Sequence, residues 1–171
     1  MSDVSETSNT EICPGCGAIF PASDGPTHAY IGSSAGCWAI FDEVVAREYS
    51  DFRYGSIHQM TVDTYAVQHP GEPSRKSSQS VALHLISLYL QLERGYDPER
   101  ARGALKRAAD SGKDYTWLDP PARIGELTIL DVYGAQTPKE HHNLVEEWAR
   151  SVWESWSLYH DTIRERAESK L

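Results

Sequence analysis

The sequence predicts an all-α protein, a compact helical bundle with an irregular N-terminal metal-binding loop. Three observations carry that prediction. Apolar residues recur at helical spacing in several separate segments, most with their own start or stop signals. All three cysteines fall within residues 13–37, two of them in Cys13-Pro14-Gly15-Cys16, ahead of or at the first helical pattern. The stretch around them is rich in Gly, Pro and Ser and has little apolar material with which to fold by itself.

The elements follow in order. Residues 1–10 are polar and acidic, have nothing to bury, and are expected to be disordered. Residues 11–171 form a single helical domain, of which 11–37 is a zinc-knuckle-like loop. From 37 to 49, Cys37, Phe41, Val44 and Val45 share one helical face. Cys37 then sits at a helix start, where the peptide dipole favours a thiolate. Ser56 followed by Gln59 has the pattern of a capping box, and this second helix must stop at His69, before Pro70. The third helix, 78–94, is apolar nearly all round and should be central. Along it runs one thin polar stripe of Ser80, His84, Ser87 and Gln91. Asp97-Pro98-Glu99 starts a fourth helix that Ser111-Gly112 stops. Residues 127–133 fit a short helix or a strand. Thr137-Pro138-Lys139-Glu140 opens a last helix to about residue 168, with Val145, Trp148, Val152, Trp156, Tyr159 and Ile163 as its stripe.

Composition narrows the function classes. A length of 171 residues with 40% apolar content suits one domain with a sizeable core. No apolar run reaches the roughly 18 residues a membrane span needs. Residues 1–10 lack a basic and an apolar region, so no secretory leader is expected. An odd number of cysteines with a C-x-x-C pair fits a reducing compartment, and the expected location is cytoplasmic. A net charge of −9 repels phosphate backbones, which disfavours nucleic acid as a partner. The one basic cluster, Arg100, Arg102, Lys106 and Arg107, reads as a solvated helix face.

The strongest chemical signal is C-x2-C-x11-H-x8-C, formed by Cys13, Cys16, His28 and Cys37. Two thiols in a tight Gly-containing turn can point at one ion, and a third thiol with one imidazole completes a closed structural zinc site. The alternative of a redox dithiol lacks the βαβ context that such a motif needs. The histidines are the second signal. His84 in its polar stripe must find a partner inside the protein. His69 and His84 should approach each other across the short loop 70–77, with Asp63 or Tyr65 nearby and Asp63, His69 and His84 as candidate catalytic residues. His141, one turn before Val145, could add a third imidazole from a third helix.

The segments Gly36-Cys37-Trp38, Val62-Asp63-Thr64-Tyr65-Ala66-Val67-Gln68-His69-Pro70-Gly71 and Ser80-Val81-Ala82-Leu83-His84-Leu85 resemble a bacterial family known as a domain of unknown function. The resemblance runs from Cys13 to about Glu93 and more loosely through 148–156. It implies that Asp63, Tyr65, Gln68, His69 and His84 belong together. Two functional readings result. One is a metal-binding protein with a structural zinc knuckle and a His/Asp/Tyr pocket for a small-molecule ligand, where Asp63 or His69 is a general base or second metal ligand. The other is a non-catalytic, zinc-stabilised adaptor or regulator whose last, aromatic helix packs on a protein partner.

Overall fold

The computed structural model describes residues 9–169. Among them are two short antiparallel strands, β1 (Thr10–Ile12) and β2 (Ile19–Pro21). Seven α-helices follow: α1 (Ala35–Ser50), α2 (His58–Gln68), α3 (Arg75–Leu92), α4 (Pro98–Asp110), α5 (Ile129–Tyr133), α6 (Pro138–Ser155) and α7 (His160–Glu168). The helical class is as the sequence indicates. The expected disorder of 1–8 lies outside the described residues, and Thr10 opens β1 instead of ending a disordered tail.

The N-terminal loop carries a small ribbon that three-residue strands are too short to announce. Its turn is the cysteine knuckle, closed by Cys13 N–H donating to the Ala18 carbonyl and Gly17 N–H to the Cys13 carbonyl, both at 2.9 Å. Ile12 then stands opposite Ile19. Helix α1 starts where Ser34 Oγ accepts from Cys37 N–H at 3.2 Å, and it buries Cys37, Phe41, Val44 and Glu48 along one stripe.

Helix α2 departs from its expected start. No capping box forms at Ser56; one 3-10 turn (Gly55–Ile57) runs straight into the helix. Gln59 instead donates to Asp63 Oδ1 at 2.9 Å, a buried carboxylate competing for the amide that would have capped the backbone. Helix α3 begins earlier than position 78 because Ser74 supplies the cap, accepting from Ser77 N–H at 3.0 Å. Helix α4 starts at its Asp97 cap as expected, burying Ala101, Ala104 and Ala108 while Arg100, Arg102, Lys106 and Arg107 face solvent. The open choice at 127–133 resolves to α5, where Thr128 and Asp131 form a capping box.

The last helix is not continuous. Helix α6 ends at Trp156, a 3-10 turn (Ser157–Tyr159) follows, and α7 resumes at His160. His160 stacks on Trp153 at 3.9 Å and its Nε2 bonds the Trp153 carbonyl at 2.8 Å, which also accepts from Trp156 N–H at 3.0 Å. Periodicity alone does not reveal such a break, since the stripe keeps its phase across it.

Helix α3 borders α2, α4, α6 and α7, the central position its apolar surface predicts. Trp148, Val152 and Trp156 are buried, and both indoles bond to α2. Trp148 Nε1 donates to Gln68 Oε1 at 3.0 Å, and Trp156 Nε1 to the Val67 carbonyl at 3.2 Å. Trp153 is buried as well, at 2% exposure, and donates to Glu93 Oε1. The aromatic stripe is therefore consumed in the protein's own core. Among the described residues, no helix is long and apolar enough to cross a membrane.

Candidate metal centre and histidine pocket

Four donors converge beneath the knuckle: Cys13, Cys16 and Cys37 Sγ and an imidazole nitrogen of His69, all within 4.8 Å of one another. The ribbon's turn brings in Cys13 and Cys16, the first turn of α1 brings in Cys37, and the chain just past α2 brings in His69. Cys16 Sγ lies 4.0 Å from Cys37 Sγ, and Cys37 Sγ lies 3.4 Å from His69 Nε2. A tetrahedron with metal–sulfur bonds of about 2.3 Å has sulfur–sulfur edges of about 3.8 Å. The set fits a metal ion.

The imidazole is His69 and not His28, which the linear spacing favoured. His28 accepts from Tyr30 N–H at 3.4 Å and packs its ring on Tyr30 and Trp38. His69 is placed by the end of its helix. Its Nδ1 lies 2.8 Å from the Tyr65 carbonyl, so Nδ1 carries the proton and Nε2 is left to face the thiols. Two glycines make the approach possible. A side chain at Gly15 would collide with the His69 ring, and Gly71, at φ +72°, lies against Gly32 where the Gly32 N–H donates to the His69 carbonyl at 3.0 Å.

All three thiols are free. Hydrogen bonds from Cys16 and Cys37 hold the Cys13 thiol far below its usual range, helped by His69. The bond to Cys13 pushes the Cys16 thiol up to about 11, and bonds to Cys13 and Cys16, with burial, push Cys37 higher still. A divalent cation at its centre would stabilise all three thiolates. Tyr65 closes the site from one side, its hydroxyl 3.3 Å from Cys37 Sγ, and burial above all pushes that phenol up.

Asp63 and His84 form a separate pair. Asp63, fully buried on α2, accepts from Gln59 Nε2 (2.9 Å), His84 Nδ1 (2.7 Å), Ser87 Oγ (2.5 Å) and Gln91 Nε2 (2.8 Å). His84, Ser87 and Gln91 of the α3 stripe thus find their partner in one carboxylate. Asp63 is enclosed and its acceptor positions are taken, which leaves it no room as a base or a ligand. His84 borders a depression of about 200 Å³ whose other walls include Tyr65, Trp38, Phe41 and His28. Tyr65 therefore stands between the two groups, touching Cys37 on one side and the depression on the other. A larger cleft of about 460 Å³ beside the knuckle is lined mainly by prolines, glycines and aliphatic groups, with Glu72 its one charged residue.

His141 joins neither group, so His69, His84 and His141 do not form one ligand set. It is fully buried and its Nε2 lies 2.8 Å from Glu48 Oε2. Glu48 Oε1 binds His58 Nδ1 at 3.0 Å, and Thr61 Oγ1 donates to Oε2 at 2.6 Å. The sequence does hold a signal for this cluster. Cys37, Phe41, Val44 and Glu48 fall on one helical stripe, so the carboxylate extends a buried face and requires donors from outside its helix. Gln68 plays an architectural part: its amide donates to the Ile124 and Leu127 carbonyls, fastening the loop ahead of α5.

No curated protein and no solved structure matches the chain. One family model does, over residues 11–157, a span that takes in the knuckle, both residues of the Asp63–His84 pair and all of α6. The chain belongs to that family, described as a family of unknown function, DUF5946.

Proposed function

We propose that this is a zinc protein in which the ion ties the N-terminal ribbon to the helices, and that the adjoining His84 pocket takes a small-molecule ligand. The observation that carries it is the convergence of Cys13, Cys16, Cys37 and His69 within 4.8 Å. Three thiolates and one imidazole suit zinc better than hard, oxygen-seeking cations. Four protein donors close the coordination shell, so the ion's role is structural and any chemistry belongs to the pocket. Cysteines kept reduced for a metal fit the cytoplasm. The net charge of −9 argues against nucleic acid as a partner.

Metal analysis of purified protein tests this directly. One zinc per chain, lost in Cys37→Ser, is the expected result; a folded, monodisperse protein without metal would overturn it. The adaptor reading keeps one observation in its favour. Ile12 and Ile19 stand side by side on the ribbon at 70% and 61% exposure, an apolar pair without cover. Its other premise, an aromatic helix offered to a partner, does not match the burial of Trp148, Trp153 and Trp156.

A further inference from the structure

The lone pair that His84 can offer is set by its partner. Asp63 receives four donors, so His84 Nδ1 donates to it and Nε2 is the ring nitrogen left to face outwards. Among the described residues Nε2 has no hydrogen-bond partner, and the side chain is 24% exposed. His84 stands where two depressions of about 200 and 360 Å³ adjoin, both also bordered by Tyr30 and Ser80. The first is walled by aromatic rings, with Trp38 and Phe41 among them. The second is mixed: Lys76 and Gln79 border it together with Leu83.

We propose that Asp63 and His84 form a general-base dyad that hydrolyses a small ester with a flat apolar end and an anionic end. The flat end fits against the rings, the anionic end reaches Lys76, and the ester carbonyl lies at the junction beside His84 and Ser80. His84 Nε2 takes a proton from water as the water oxygen adds to the carbonyl carbon, and the carbonyl electron pair moves to its oxygen. Ser80 Oγ is a donor available to that oxygen. The tetrahedral centre then collapses, the bond to the alcohol oxygen breaks, and the imidazolium returns its proton to that oxygen. Acid and alcohol leave; water is the only co-reactant. Asp63 does not meet the ester. It is a positioning residue that holds the tautomer and stabilises the imidazolium.

This inference rests on the ligand pocket proposed above, and the test separates the two. Zinc-loaded protein of measured metal content is assayed with 4-nitrophenyl hemisuccinate and with its neutral methyl ester. His84→Gln, at a partly exposed position, should keep its zinc and lose about 100-fold or more in kcat/KM, the usual contribution of a general base. Lys76→Met should raise KM for the anionic ester alone. Asp63→Asn should lower kcat and move the acid limb of the pH profile downwards, because the imidazolium loses its anion; a merely structural role would not move that limb. The other titratable groups facing His84 are His28, Tyr30, Tyr65 and Lys76. If Asp63→Asn does not fold, the His84 and Lys76 variants still decide the matter. Hydrolysis no faster than background, or equally fast in His84→Gln, overturns the dyad while a zinc-loaded protein leaves the metal centre standing. Absence of zinc overturns the metal centre instead.

Discussion

At the scale of single residues, the two histidines nearest the thiols have opposite parts. His69 has Nε2 3.4 Å from Cys37 Sγ and its other nitrogen anchored on the Tyr65 carbonyl, whereas His28 is occupied by Tyr30 and Trp38. His69→Ala should therefore abolish stoichiometric metal binding and His28→Ala should retain it, as read by metal content after dialysis. Glu48 supplies a pH prediction. Burial pushes its carboxyl up, but bonds from His141, His58 and Thr61 outweigh that and hold it below its ordinary value of 4.5. The sign follows from linkage: ionised Glu48 contributes its full stability above the unfolded-state value and loses it as pH falls through the lower folded one. The difference in unfolding free energy between wild type and Glu48→Gln should shrink between about pH 5 and pH 3, in the carboxylate range. A constant difference across that window would show that Glu48 is not ionised in the fold.

At the scale of elements, the critical packing is that of α6 on α2. Trp148 and Trp156 both donate to the C-terminal turn of α2, from which His69 is presented to the thiols. Trp156→Ala should cost about 3–5 kcal/mol, the range for a fully buried large aromatic. Equilibrium denaturation at fixed zinc occupancy measures it, and a cost below about 1 kcal/mol would place the side chain on the surface. Trp156→Phe keeps most of the apolar area and loses the bond to the Val67 carbonyl, so its cost should be nearer 1 kcal/mol. Helix α3 contributes differently. Its apolar faces meet four other helices, while His84, Ser87 and Gln91 are satisfied by one carboxylate from α2.

For the molecule as a whole, the cluster of Cys13, Cys16, Cys37 and His69, which could hold a metal, joins three segments distant in sequence: the ribbon, the start of α1 and the end of α2. Removing the ion should loosen all three together. If zinc is normally near 1,000 times its dissociation constant, chelation removes about 4 kcal/mol of linkage. At about 2–4 °C per kcal/mol for a chain of this size, Tm should fall by about 10 °C. Differential scanning calorimetry with and without a strong chelator checks this, and restoring zinc should restore Tm. An unchanged Tm would mean that the ribbon docks without the ion.

The sequence by itself determined the class of the fold and most of its elements, because periodicity, caps and stops are local properties: Asp97-Pro98, Thr137-Pro138 and the all-apolar face of α3 need no distant partner to be read. It also determined the three thiols, since Cys13-Pro14-Gly15-Cys16 is a short turn and Cys37 marks a helix start. What only tertiary structure decided is which distant group completes each polar cluster. His69 replaces His28 at the thiols because a helix end in space is nearer than the next histidine along the chain. Asp63 takes up His84, Ser87 and Gln91 of the α3 stripe, and Glu48 joins His58 to His141, because burying such groups without partners is costly, and the partners come from other helices. The break at Trp156 has the same origin. A helical stripe specifies a face, but the choice between continuing and turning depends on what receives Trp156 Nε1, and that partner, the Val67 carbonyl, is in place only once the helices have packed.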